Sequence, residues 1–385
     1  MSAEKLVAVA QRIGAEAAAP NAADVDSKSR FPSEALAAMK KEKLLSALVP
    51  KELGGIGCGM HELAAICEAL GEHCSASAMI FAMHQIQVAC LVRHAQTSDY
   101  FRGYLRELAE KQLLIASVTS EVGIGGDMRS SISSVEIDGA KMVLNKDATT
   151  ISYGEHADDL LITTRRAADA PASDQVLVLV RNSQRTMERT SVWDTLGMRG
   201  TCSPGFKVRS SGAIEQIVPG EFATIASHTM VPFSHILWSS LWLGIATAAV
   251  SRARTFVRAE ARKKPGSTPP TALRLAEVMN ALQTMKANVE AVAHECELLM
   301  SQTSEALSGI GFALKMNNLK ISASQQVVQI VHQALLICGI SAYKNDSPFS
   351  LGRLLRDAHS AALMVGNDRI LATNAQLALV LKDNA

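Results

Sequence analysis

The feature that most constrains this chain is a double change of apolar periodicity. Helical spacing gives way to strand-like alternation near residue 115, and helical spacing returns after Val231. A segment patterned for one period cannot bury its apolar face in the other, so the three zones must fold as different kinds of structure. With 385 residues the chain also exceeds the size at which one core stops growing. We therefore expect an α+β protein with an N-terminal helical domain over 1–115, a middle β domain over 116–225 and a C-terminal helical domain over 226–385.

In the first zone Leu63, Ile66, Cys67 and Leu70 form a helical stripe. The run PKELGGIGCG, 50–59, is a glycine-dense turn. In the second zone Val135-Glu136-Ile137 and Met142-Val143-Leu144 flank Asp138-Gly139, a hairpin signal, while Leu160 to Thr164 and Val176 to Val180 flank a polar loop. In the third, Leu275, Val278, Leu282, Met285, Val289 and Val292 form one apolar stripe, read as core. KPGSTPPT, 264–271, should separate two long helices.

Several function classes are excluded by composition. A formal charge of +1 offers no concentrated cations to follow phosphates, so nucleic acid is not expected. The seven cysteines form no CxxC pair and no metal-ligand spacing, which predicts no metal site and suits a reducing cytoplasm. The first residues alternate charge with alanine, unlike a secretory signal. The longest apolar run, Ile236 to Val250, is interrupted by Ser239 and Ser240 and is too short for a bilayer, so no membrane partner is expected.

Three motifs then narrow the reading. Pro50-x-Glu52-x-Gly54-Gly55-x-Gly57, Leu196-Gly197-Met198-Arg199-Gly200-Thr201-Cys202-Ser203 and Arg353-Leu354-x-Arg356-Asp357-Ala358 occur in this order. The chain resembles the acyl-CoA dehydrogenase superfamily of flavoproteins through these motifs and over nearly its whole length. The resemblance implies a β-barrel-like middle domain and a C-terminal four-helix bundle. It implies FAD, or FMN as the alternative, with Thr119, Gly125, Gly126, Thr150 and Ser152 around it. Arg262, in Arg262-Lys263-Lys264-Pro265-Gly266, matches an arginine that reaches a neighbouring subunit's cofactor, which implies a homodimer or homotetramer. The expected partners are a small-molecule or CoA-thioester substrate, with an electron-transfer flavoprotein or O2 as acceptor.

One family requirement is missing. Removing a proton beside a thioester carbonyl needs a positioned base. The family places a glutamate nine residues after the arginine of R-D-A, which here is Val365, or in some members at the start of the C-terminal domain, which here is Ser234. The candidate substitutes are Asp368, His235, His84 and His359. The first expectation is oxidation of an acyl thioester with a relocated base. The alternative is an oxygen-using oxidase or monooxygenase of the same fold, and a non-catalytic homologue is the third reading.

Overall fold

Helix α4 (Met60–Gly71) carries the expected stripe, and Leu63, Ile66, Cys67 and Leu70 are all fully buried. The computed structural model describes residues 3–302 and 304–382; the outermost residues of the expected terminal domains, 1–2 and 383–385, lie outside them. Around α4 pack α1 (Ala3–Ile13), α2 (Ala22–Ser27), α3 (Ser33–Lys41), α5 (Ser75–His94) and α6 (Asp99–Lys111). The 50–59 run is a turn in which Gly54 and Gly57 take positive φ, 87° and 72°. Its backbone is tied back by Gly57 N–H to the Val49 carbonyl and Cys58 N–H to the Ala47 carbonyl.

The middle region contains β1 (Ile115–Val118), β2 (Val135–Asp138), β3 (Lys141–Ala148), β4 (Asp159–Arg165), β5 (Gln175–Arg181), β6 (Arg185–Arg189) and β7 (Phe206–Ala213). β2 and β3 form the hairpin signalled by Asp138-Gly139, with Gly139 at φ 59°. The barrel-like expectation is corrected to two separate sheets, ordered β1-β4-β5 and β2-β3-β7-β6. β2 and β6 remain edge strands, and the sheets are linked only by the isolated bridges Ser134–Arg165 and Val178–Ile217, so nothing closes.

After α7 (Phe222–Ile225) come the long helices α8 (Val231–Lys263), α9 (Thr271–Gln302) and α11 (Ile310–Cys338). The short α10 (Ser304–Leu307), α12 (Ile340–Tyr343) and α13 (Gly352–His359) follow in turn, and α14 (Asn367–Val380) packs on α11. In the α9 stripe Val278, Met285, Val289 and Val292 are buried, whereas Leu275 and Leu282 are only half-buried. α4 and α8 meet backbone to backbone: a Cβ on Gly244 would lie 2.3 Å from the Glu68 carbonyl oxygen, and one on Gly71 would lie 2.5 Å from that of Leu241.

A reading of continuous apolar runs misses that two helical stretches, Ser75–His94 and Phe222–Lys263, are long and apolar enough to cross a membrane. Their most apolar windows are 89% and 94% buried inside the fold, which accounts for that apolarity as core.

Candidate functional site

A cavity of about 550 Å³ opens where the β region, α5, α8 and the α13–α14 connection converge. Two helices supply matching rows at one-turn spacing: Met79, Met83 and Gln87 from α5, and Met230, Ser234 and Trp238 from the start of α8. Opposite them the β region contributes Ser117, Thr119, Thr150 and Ser152. Met128, Met198 and Met364 complete a wall that is largely thioether and aromatic.

Two of the sequence motifs meet here and hold each other. Asp357, buried on α13, accepts the Met198 N–H at 2.7 Å. Arg356 donates to both carboxylate oxygens of Asp26 and to the Leu196 carbonyl at 2.9 Å. Gly197 leaves no room for a side chain, since its Cβ would lie 2.2 Å from the Arg356 carbonyl oxygen. Burial raises the Asp357 carboxyl above its ordinary range, against the opposing pull of Arg353 and the Met198 amide. The 196–203 loop is thereby fixed as one side of the cavity.

Both positions from which the family draws its glutamate lie on this same wall, as Val365 and Ser234. Val365 has φ 53°, a strained conformation for a β-branched residue. Behind it the ammonium of Lys320, 0% exposed, donates to the Val365 carbonyl at 2.8 Å and to Asn367 Oδ1 at 2.7 Å. Burial lowers this lysine to about 8.

The four proposed substitutes fare differently. Asp368 is corrected to a residue of the first turn of α14, exposed and off the cavity wall, where a carboxylate suits a helix N-terminus. His235 points away from the cavity: its Nδ1–H donates to the Met316 carbonyl at 3.0 Å, and its ring stands behind Trp238. His84 is occupied at both nitrogens, accepting the Ile115 N–H at Nδ1 and donating from Nε2 to the Leu45 carbonyl. It joins α5 to β1 and does not reach the cavity. Burial lowers both His84 and His235 to about 4, so both are neutral near pH 7. His359, exposed at the end of α13, does line the cavity.

Thr119, Thr150 and Ser152 are brought together as hydroxyls on the β side. Ser203 donates to Ser152 at 2.9 Å and lies 2.9 Å from Thr201, a row that leaves the Ser152 proton free for the cavity. Ser120 and Thr150 clamp their two loops together through Ser120 Oγ. Glu121 accepts from Ser131, Ile132 and Ser133 and pairs with buried Lys146; burial opposes its ionisation, but Lys146 and these donors hold it below its ordinary range. This buried pair shapes the loop carrying Gly125 and Gly126, both at positive φ and exposed. Arg369 donates to the Gly125 carbonyl. Arg262 is exposed at the end of α8 and is not part of the cavity wall.

These residues suit a flavin. Hydroxyls face a polar ring edge, apolar helices face the ring system, and open glycine backbone lies beside them for a diphosphate. Two buried polar atoms on cavity-lining residues, Gln87 Oε1 and Trp238 Nε1, have no protein partner. Gln87, Trp238, Lys320 and Glu121 were not singled out from the sequence. The first two have a sequence signal in retrospect, since each lies eight residues beyond a methionine of the same row.

Residues 2–112 match acyl-CoA dehydrogenase, N-terminal domain, and residues 228–379 match acyl-CoA dehydrogenase, C-terminal domain. The chain is 24% identical over 357 residues to cyclohex-1-ene-1-carbonyl-CoA dehydrogenase of Geobacter metallireducens, covering 91% of each. It is 25% identical over 360 residues to the amino sugar nitrososynthase DnmZ of Streptomyces peucetius, covering 89% of this chain and 84% of that one. FMN-bound TdsC from Paenibacillus sp. A11-2 has the same fold, with a TM-score of 0.85 at 17% identity over 97% of both chains.

Proposed function

The chain belongs to the acyl-CoA dehydrogenase family, and from that premise we propose that this flavin-dependent oxidoreductase uses O2 to oxygenate a small substrate. The observation that carries the reading is chemical: no lining residue of the cavity is a carboxylate, and both family glutamate positions hold Val365 and Ser234. Abstraction of a carbon-bound proton has no carboxylate to perform it there. Relatives with nitrososynthase activity support a flavin site of this fold put to other oxidations.

When bound, the flavin supplies the two electrons that O2 chemistry requires, drawn from a separate reductant. Thr119, Thr150 and Ser152 hold its polar edge, and the Gly125–Gly126 backbone accommodates the diphosphate of FAD or the phosphate of FMN. Ser152 presents a hydroxyl proton to the cavity, oriented by Ser203. The methionine rows exclude water from the reacting face. Arg262, exposed on α8, would serve the cofactor of a second copy in a homo-oligomer.

A second reading is favoured by His359, the only imidazole on the wall: dehydrogenation of an acyl thioester with this histidine as base. The deciding experiment mixes flavin-loaded protein anaerobically with acyl-CoA esters, then supplies reduced flavin, 18O2 and candidate substrates. Incorporation of one 18O atom per product supports oxygenation. Flavin bleaching by a thioester at turnover rates, abolished by His359→Gln, would replace it with the second reading.

A further inference from the structure

The cavity carries more polar specificity than oxidation alone requires. Gln87 is 3% exposed and Trp238 is 8% exposed, yet Gln87 Oε1 and Trp238 Nε1 have no hydrogen-bond partner in the protein. A buried polar atom left unpaired is costly, and such atoms are normally satisfied by protein, water or ligand. Here one is an acceptor and the other a donor. They occupy equivalent places in the two helical rows, each two turns beyond a methionine.

The remaining wall narrows the ligand. Thioethers from Met79, Met83 and Met230, together with the rings of Trp193 and Trp238, form a soft apolar lining that favours aromatic contact. The one guanidinium on the wall, Arg356, is already committed to Asp26 and to the Leu196 carbonyl. It is not free to neutralise an anionic ligand. We propose, on the basis of the oxygenase reading above, that the substrate is a small uncharged aromatic molecule bearing a hydroxyl group. Gln87 Oε1 accepts from that hydroxyl and Trp238 Nε1 donates to it, while rotation of the flexible methionines opens the way to both. Gln87 and Trp238 are specificity-determining residues for a free small molecule rather than a coenzyme A ester.

Binding of 2-naphthol, 2-methoxynaphthalene and 2-naphthoyl-CoA to the full-length protein, by calorimetry with and without added FAD, tests this. 2-Naphthol is expected to bind at least tenfold more tightly than its methyl ether, which cannot donate to Gln87. Gln87→Leu is expected to erase that preference, and Trp238→Phe to weaken both naphthalenes. With 15N-labelled tryptophan, the side-chain N–H signal that disappears in Trp238→Phe should shift on adding 2-naphthol to the unsubstituted protein. Equal binding of naphthol and ether, a preference that survives Gln87→Leu, an unmoved Trp238 signal, or tightest binding by 2-naphthoyl-CoA would each overturn the proposal. Loss of FAD binding with the naphthol preference intact would count against the oxygenase reading and leave this one standing.

Discussion

The Lys320 ammonium bonds the carbonyl of Val365, so the residue in place of the expected base is held from behind by a buried cation. Val365 occupies a left-handed backbone conformation there, and the same amine reaches Asn367, whose amide donates to Ser324. One side chain thus fixes the turn between α13 and α14.

Replacing Lys320 with Met keeps its bulk but leaves the Val365 and Asn367 oxygens without this donor. Unpaired buried acceptors cost about 1–3 kcal/mol each, so urea denaturation should show a loss in that range or above. The pH dependence has a definite sign. The folded lysine, at about 8, lies below its ordinary value of 10.5, so between these pH values the unfolded chain binds more protons. The stability of the unsubstituted protein should therefore rise relative to Lys320→Met as pH increases from about 8 to about 10.

Val365→Glu restores a carboxylate on the cavity wall. The expected gain is anaerobic bleaching of bound flavin by butyryl-CoA at a rate at least tenfold above the unsubstituted protein, followed by stopped-flow absorbance. The substitution also removes a β-branched residue from a positive φ, so thermal unfolding should show a stability change within about 1 kcal/mol.

Asp357→Ala leaves the buried Met198 amide without its acceptor and Arg353 without a nearby carboxylate. A loss of about 3 kcal/mol in chemical denaturation is expected, with weaker FAD binding because the 196–203 loop loosens. Asp357→Asn keeps an acceptor and should lose less. Gly197→Ala presses a methyl against the Arg356 carbonyl and should cost about 1–3 kcal/mol.

His84→Leu separates scaffold from chemistry. It deprives the Leu45 carbonyl and the Ile115 amide of their partner, and should destabilise the fold by about 2–4 kcal/mol. Turnover per folded, flavin-loaded molecule should be unchanged when both are measured on the same preparation.

The hairpin at Asp138-Gly139, the helical stripes and the loop at 264–271 could be read from local chemistry, because turns and periodicity are encoded within a few residues. Strand pairing is not local, and the expected barrel gave way to two sheets. The site shows the same division. Resemblance of the motifs brought Val365 and Ser234 to the right wall, but neighbouring helical residues point about 100° apart, which turns His235 to Met316 while Ser234 faces the cavity. Lys320 carries no signal of its own in a helix otherwise patterned like its neighbours; only the tertiary fold shows that its amine is sealed beneath the α13–α14 turn.

The main-chain contact at Gly71 and Gly244 has a consequence for how such a protein diverges. The separation of α4 and α8 is set by backbone atoms, and the 196–203 loop is set by Asp357 and Gly197, none of which depends on the side chains that face the cavity. Selection can therefore rewrite the reactive lining, exchanging an acid for a valine or a serine, while the frame that presents it is inherited intact.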